Sequence, residues 1–145
     1  MKKILILLLF LSACGYQTLY NTDLIKFEFN KINLSGDVKI NRKIMSSLNI
    51  IETNNESNKE ISINSSKSII ISSKNAQGQP ATYKTNVKIT ILIKDKGKLL
   101  KTKIFSENFT YNNIENKYDL SAYQQDVEDN LVEKIIDDLI VYINL

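Results

Sequence analysis

The segment that leaves this chain least freedom runs from Tyr83 to Lys94. Tyr83, Val87, Ile89, Ile91 and Ile93 share one parity, while Lys84, Asn86, Lys88 and Lys94 share the other. Side chains of a strand point alternately to its two faces, so this pattern sends one face into a core and the other to water. The turn residues Asp95-Lys96-Gly97-Lys98 follow at once, and Leu99 to Tyr111 is again rich in apolar and β-branched residues. The two segments are expected to pair as an antiparallel hairpin. Ile104 and Phe105 are adjacent, which predicts either a bulge or a sheet covered on both faces.

A half-buried hairpin needs a partner for its apolar face. The last segment supplies one: Tyr123, Val127, Leu131, Ile135, Leu139 and Ile143 step by four along one helical stripe, widened by Ile136 and Ile140, with Asp119 or Ser121 as N-cap. Asp126, Glu128, Asp129, Glu133, Asp137 and Asp138 fall mostly on the other side and are expected to form an acidic, solvated face. A shorter helix is predicted earlier, capped by Asp37 and spaced by Ile40, Ile44, Met45 and Leu48. Before it, Ile25, Phe27 and Phe29 alternate with Lys26, Glu28 and Asn30 as a first strand; after it, Glu52 to Lys59 reads as a loop. Glu60 to Ser73 reads as a long strand with Ile61, Ile63, Ile69 and Ile71 on one parity and a bulge near Ser65-Ser66. Lys74 to Pro80 carries Gly78 and the chain's only proline and is read as a second hairpin loop. The order β-α-β-β-β-α predicts a single α+β domain: a mixed, mostly antiparallel four-stranded sheet with two helices packed on one face.

The beginning of the chain has a different character. Lys2 and Lys3 precede an unbroken apolar run from Ile4 to Leu11, and Ser12-Ala13 supplies small residues before Cys14. Residues 1–13 therefore read as a signal peptide, since a spanning helix needs about 20 apolar residues. Leu11-Ser12-Ala13-Cys14 resembles the lipobox of bacterial lipoproteins, which implies cleavage before Cys14 and acylation of its sulfur; an ordinary secretory cleavage site is the alternative. Two or more acyl chains anchor stably where one binds marginally. Acylation would also account for a single cysteine in an exported chain, where cysteines are normally paired. Residues 14–22 are then a lipidated tether and 23–145 the folded domain.

Removing Lys2 and Lys3 with the leader takes the 19 basic residues to 17, against 16 acidic ones. Such a balance gives no basic stripe for nucleic acid. The chain has no histidine, the commonest general base and metal ligand, and four glycines in all leave little for a phosphate-binding loop. Neighbouring acids such as Asp137 and Asp138 point in different directions on a helix. No enzymatic activity, cofactor or metal is expected.

Several stretches resemble the LptE family, the lipopolysaccharide-assembly lipoproteins of Gram-negative outer membranes. They are the lipobox running into Cys14-Gly15-Tyr16-Gln17-Thr18-Leu19-Tyr20, the Asn86 to Leu100 hairpin with its Gly97 turn, Phe109-Thr110-Tyr111, and a closing helix that begins near Ser121-Ala122-Tyr123. The resemblance implies a non-enzymatic domain that plugs the LptD β-barrel and helps it insert lipopolysaccharide into the outer leaflet. Gly15 stands where an aspartate would signal inner-membrane retention, so the outer membrane is the expected location. A different envelope complex, served without lipopolysaccharide contact, is the alternative reading.

Within that frame Lys84, Lys88, Lys94, Lys101 and Lys103, with Lys96 and Lys98 at the turn, could bind phosphates and acidic sugars of lipopolysaccharide as point charges. Lysines on an exposed sheet face also simply maintain solubility and blunt an edge. Tyr83, Tyr111, Tyr118 and Tyr123 cluster at strand and helix ends and are candidates for a partner surface or for the core. Replacing Cys14 with serine is expected to leave the domain folded but unanchored. Fractionation of the Cys14→Ser chain with membranes lacking a partner barrel would contradict this.

Overall fold

The computed structural model describes residues 26–54 and 58–144. The expected leader, Cys14, the tether and Ile25 lie outside the described residues. Six strands and two helices follow in order: β1 (Phe27–Phe29), β2 (Lys31–Gly36), α1 (Val38–Ser47), β3 (Ile50–Glu52), β4 (Lys59–Lys74), β5 (Pro80–Asp95), β6 (Lys98–Asn112) and α2 (Lys117–Asn144). The main sheet has the order β2-β4-β5-β6, parallel between β2 and β4 and antiparallel elsewhere. This is the expected α+β architecture with both helices on one face. A short parallel pair, β1 with β3, is added beside it.

The first strand of the main sheet is not the alternating segment at 25–30 but the next one, Lys31–Gly36, whose residues are mostly exposed and carry little hydrophobic signal. β1 buries Phe29 and pairs with Ile50–Glu52, the latter continuing into residues read as loop.

The parity of β5 holds throughout: Thr85, Val87, Ile89, Ile91 and Ile93 are buried beneath the helices. The row opposite them is completed by Ile61, Ile63 and Ser65 of β4 and by Phe105 of β6. Above it lie Val127, Leu131, Val132, Ile135, Ile136, Leu139 and Ile140 of α2, and Ile40 and Ile44 of α1. α2 has 28 residues and, at about 1.5 Å per residue, runs most of the sheet's length. α1 has 10, so it covers β4 only as far as Ser65. Beyond that point Ile69, Ile70 and Ile71 are exposed although two of them share the buried parity.

Local chemistry explains the boundaries. Asp37 caps α1 as expected, its Oδ1 accepting from the amides of Lys39 at 2.9 Å and Ile40 at 3.1 Å. α2 begins at Lys117, earlier than predicted, because the Asn116 side chain accepts from the Tyr118 amide at 2.9 Å; Asp119 falls inside the first turn. Lys96 and Gly97 both have positive φ, as a two-residue type I′ turn requires. No bulge occurs at Ser65-Ser66. Ser65 is buried and Ser66 exposed in normal alternation, and the irregularities of β4 lie at Ile71–Lys74. The bulge in β6 is at Leu100, since Lys101 faces Ile93 while Leu99 faces Lys94. Ile104 is exposed and Phe105 buried, so the sheet is covered on one face only.

Gly36 closes β2 with φ +86°, and a Cβ there would stand 1.8 Å from the Ser65 carbonyl oxygen. Only hydrogen fits between the parallel strands at this point. Gly36→Ala is expected to cost about 3 kcal/mol or more, read by urea denaturation. Gly97→Ala, also at positive φ but in open space, should cost about 1 kcal/mol.

Candidate functional site

The structure separates the five candidate lysines. Lys84, Lys88 and Lys94 project from the face of β5 that no helix covers, spaced about 13 and 20 Å apart at the rise of a strand. Lys88 stands between Ser66 and Ser106, Lys84 between Ile70 and Thr110, and Lys94 opposite Glu60, while Ser62, Asn64, Ser68 and Asn108 fill much of the face between them. Lys101 and Lys103 lie on the opposite face, opposite Ile93 and Ile91. Lys101 Nζ donates to the carbonyl oxygen of Tyr142 at 3.4 Å, one of the unpaired acceptors at the end of α2. Lys103 Nζ sits 4.7 Å from the centre of the Phe105 ring and 5.2 Å from that of Tyr142. These two ammonium groups hold the end of a helix.

Three of the four tyrosines do come together. Tyr111 stacks on Tyr83 at 6.1 Å and meets Tyr123 edge-on at 5.4 Å, while Phe109 stacks on its other side at 6.4 Å. Tyr111 is buried and its hydroxyl lies 3.0 Å from that of Thr85, which satisfies both polar groups under the helix. Tyr118 is 81% exposed and stands apart. Phe109 and Tyr123 open onto a groove of 340 Å³ between β6 and α2, floored by Val127 and Leu131. The Lys134–Glu107 ion pair, at 2.8 Å, closes one side of it.

The strongest electrostatic feature is one the sequence reading placed in solvent. Glu128 is not on a solvated face; it is 5% exposed, and its Oε2 accepts from Lys67 Nζ at 2.6 Å. Its Oε1 has no hydrogen-bond partner, with Lys39 Nζ at 3.7 Å. Lys67 also approaches Asp37 at 3.8 Å, and Lys39 and Lys43 reach Asp129 at 3.4 and 3.6 Å. β4, α1 and α2 are thus joined through one network. The hydrogen bond to Glu128 holds the Lys67 ammonium above the ordinary lysine value, with the charges of Glu128, Asp37 and Asp129 acting the same way against partial desolvation. The missed signal was Lys67 itself: it continues the inward parity of Ile61, Ile63 and Ser65, and an inward lysine requires a carboxylate opposite.

Beside this network, Ser65 Oγ lies 2.7 Å from Asn41 Oδ1 and 3.0 Å from the Asp37 carbonyl oxygen, so its one proton bridges helix and strand. Asn41 in turn donates to the carbonyl of Ser35 at 2.8 Å. The arrangement ties α1 to the β2–β4 seam; it presents no nucleophile paired with a base. Among the described residues no helix is long and apolar enough to cross a membrane, and no group of acidic or thiol side chains is arranged to hold a metal.

Two helices over one face of a β2-β4-β5-β6 sheet define a fold already seen in solved bacterial proteins. It is similar to rare lipoprotein B from Shewanella oneidensis, with 12% identity, 79% of this chain and 94% of that one aligned, and a TM-score of 0.59. It is also similar to an uncharacterized lipoprotein B from Nitrosomonas europaea, with 9% identity over 86% of this chain and 87% of that one, and a TM-score of 0.60. At such identities the likeness establishes the fold. No protein-family model and no curated protein matches the sequence.

Lys67→Met would leave the Glu128 carboxylate buried with only Lys39 nearby. A loss of about 2 kcal/mol at neutral pH is expected in urea denaturation, less than for a wholly buried pair because the Lys67 side chain is 37% exposed. The folded pKa of Lys67 lies above its unfolded value of 10.5, so the pair contributes fully below that pH and its contribution is lost as pH rises through the folded pKa. The difference between wild type and Lys67→Met should accordingly shrink above pH 10.5.

Proposed function

We propose that this chain is a lipid-anchored, non-catalytic protein of the bacterial cell envelope, held on the outer membrane through Cys14, and that it partners an LptD-like β-barrel in assembling lipopolysaccharide. The observation that carries this reading is the fold, shared over most of the chain with two proteins named lipoprotein B and preceded in sequence by a lipobox ending at Cys14. The main sheet and its two helices keep the expected strand-helix-strand-strand-strand-helix order, with Lys31–Gly36 in place of the segment at 25–30 as the first strand.

The geometry narrows where lipopolysaccharide could be met. Lys101 and Lys103 are engaged with α2, which leaves Lys84, Lys88 and Lys94 on the open face as the ammonium groups available to phosphate. The aromatic groove of Phe109 and Tyr123 suits a protein wall, since tyrosines combine apolar area with a polar tip. A second reading, a partner of another envelope complex without lipopolysaccharide contact, is favoured by the same open face: its lysines are far apart and its remaining side chains mostly neutral. Purification of the acylated protein from detergent-solubilised membranes discriminates between them. Recovery of a large outer-membrane barrel in near-equal amount is the expected result, and recovery of a different envelope assembly would replace the first reading with the second.

A further inference from the structure

We propose that the β5–β6 turn end of the domain is a docking face for an anionic phospholipid bilayer, which seats the domain against the membrane that carries its anchor. The inference rests on the reading of Cys14 as acylated; it is independent of the barrel. Leu99 and Leu100 are 56% and 55% exposed, side by side, because the bulge at Leu100 interrupts the alternation that would turn one of them inward. Leu100 borders a groove with Phe27, Ile93 and Ile143, yet both leucines keep more than half of their surface in solvent. Around them stand Lys26, Lys59, Lys96 and Lys98, all exposed and none in an ion pair among the described residues. The acids at this end are Glu28, Glu60 and Asp95, of which Glu60 lies opposite Lys94 and Asp95 opposite Lys59 and Lys98, so cations are in excess. Apolar side chains that enter the headgroup boundary, ringed by lysines that meet anionic headgroups, are the two components of interfacial binding.

The path of the chain selects the occupant. Lys26 and Phe27 border the same 280 Å³ groove as Leu100 and Lys101, so the segment leading back to Cys14 leaves the domain at this end. Eleven intervening residues can span at most about 40 Å, so an acylated Cys14 keeps the domain within that distance of the bilayer. Confinement of that kind raises the local concentration to the millimolar range, where a patch too weak to bind alone is occupied. A different exposed apolar cluster, Ile69 to Ile71, lies about 33 Å away along the sheet and serves as an internal control.

The chain contains no tryptophan, so one introduced indole reports a single place. The acylated full-length protein, as Leu100→Trp and separately as Ile70→Trp, is reconstituted into phosphatidylcholine vesicles with or without a quarter phosphatidylglycerol, all with brominated acyl chains. Flotation of each sample tests the anchor. In floated samples the Leu100→Trp emission is expected to fall about twofold with phosphatidylglycerol present, and the Ile70→Trp emission to stay unchanged. Adding Lys96→Glu and Lys98→Glu, or raising salt to about 0.5 M, should restore most of the lost emission. Protein that does not float contradicts the anchor and the docking face together. Floated protein with no quenching at Leu100→Trp, equal quenching at Ile70→Trp, or no effect of charge reversal overturns the docking face alone. In a third vesicle, with lipopolysaccharide in place of phosphatidylglycerol, quenching that appears there alone assigns the face to that glycolipid and overturns it too.

Discussion

Val87, Ile89 and Ile91 have no exposed surface, because β4 and β6 flank β5 and α2 lies across it. Burying each such side chain is worth about 1.5–3 kcal/mol, and the rest of the domain is arranged around keeping that row covered. A slip of one residue would exchange it for Asn86, Lys88 and Thr90, so the register of both long hairpins is fixed by the parity of one strand. The Lys96-Gly97 turn and the Leu100 bulge follow from that register. The length of α2 follows from the length of the row.

Where apolar contact runs out, directional chemistry takes over. α1 ends its cover of β4 at Ser65, and there the sheet changes from isoleucine to Ser65 and Lys67. A buried ion pair adds little net stability over an apolar pair of the same size, but it is costly to break on one side. Lys67, Glu128 and Asp37 therefore act as a fastening of defined geometry among β4, α2 and the start of α1, and Gly36 lets the seam close behind them. Glu128 is the point at which the acidic side of α2 folds inward.

The hairpin of β5 and β6, the cap of α1 and the stripe of α2 were legible because each rests on a local rule: period two, a side-chain oxygen two residues before an amide, period near four. β2 was not, since Lys31–Gly36 is an edge strand whose residues stay largely exposed and whose pairing with β4, Lys31 to Glu60 through Gly36 to Ser65, is set 29 residues away. β1 was legible as a strand from the alternation of Phe27 and Phe29, but not its pairing, because β3 is three residues long and too short for any period to show. The candidate lysines were legible as charges but not as partners. Parity put Lys84, Lys88 and Lys94 on one face, whereas only the path of α2 shows that Lys101 and Lys103 end against Tyr142. Cys14 lies outside the described residues, so the anchor still stands on the sequence.

Between its lysines, much of the uncovered face of the sheet is paved with hydroxyls and amides: Ser62, Asn64, Ser66, Ser68, Asn86, Thr90, Ser106 and Asn108. Such side chains hold water through hydrogen bonds that exchange quickly, and none is long enough to interlock with a neighbour. Above this hydrated layer rise the longer side chains of the same face, Lys84, Lys88 and Lys94 with the exposed Ile70 and Ile104. The two sides of the domain thus differ in how they hold water: a film pierced by a few long side chains on the open sheet, and an apolar floor of Val127 and Leu131 in the groove of Phe109 and Tyr123.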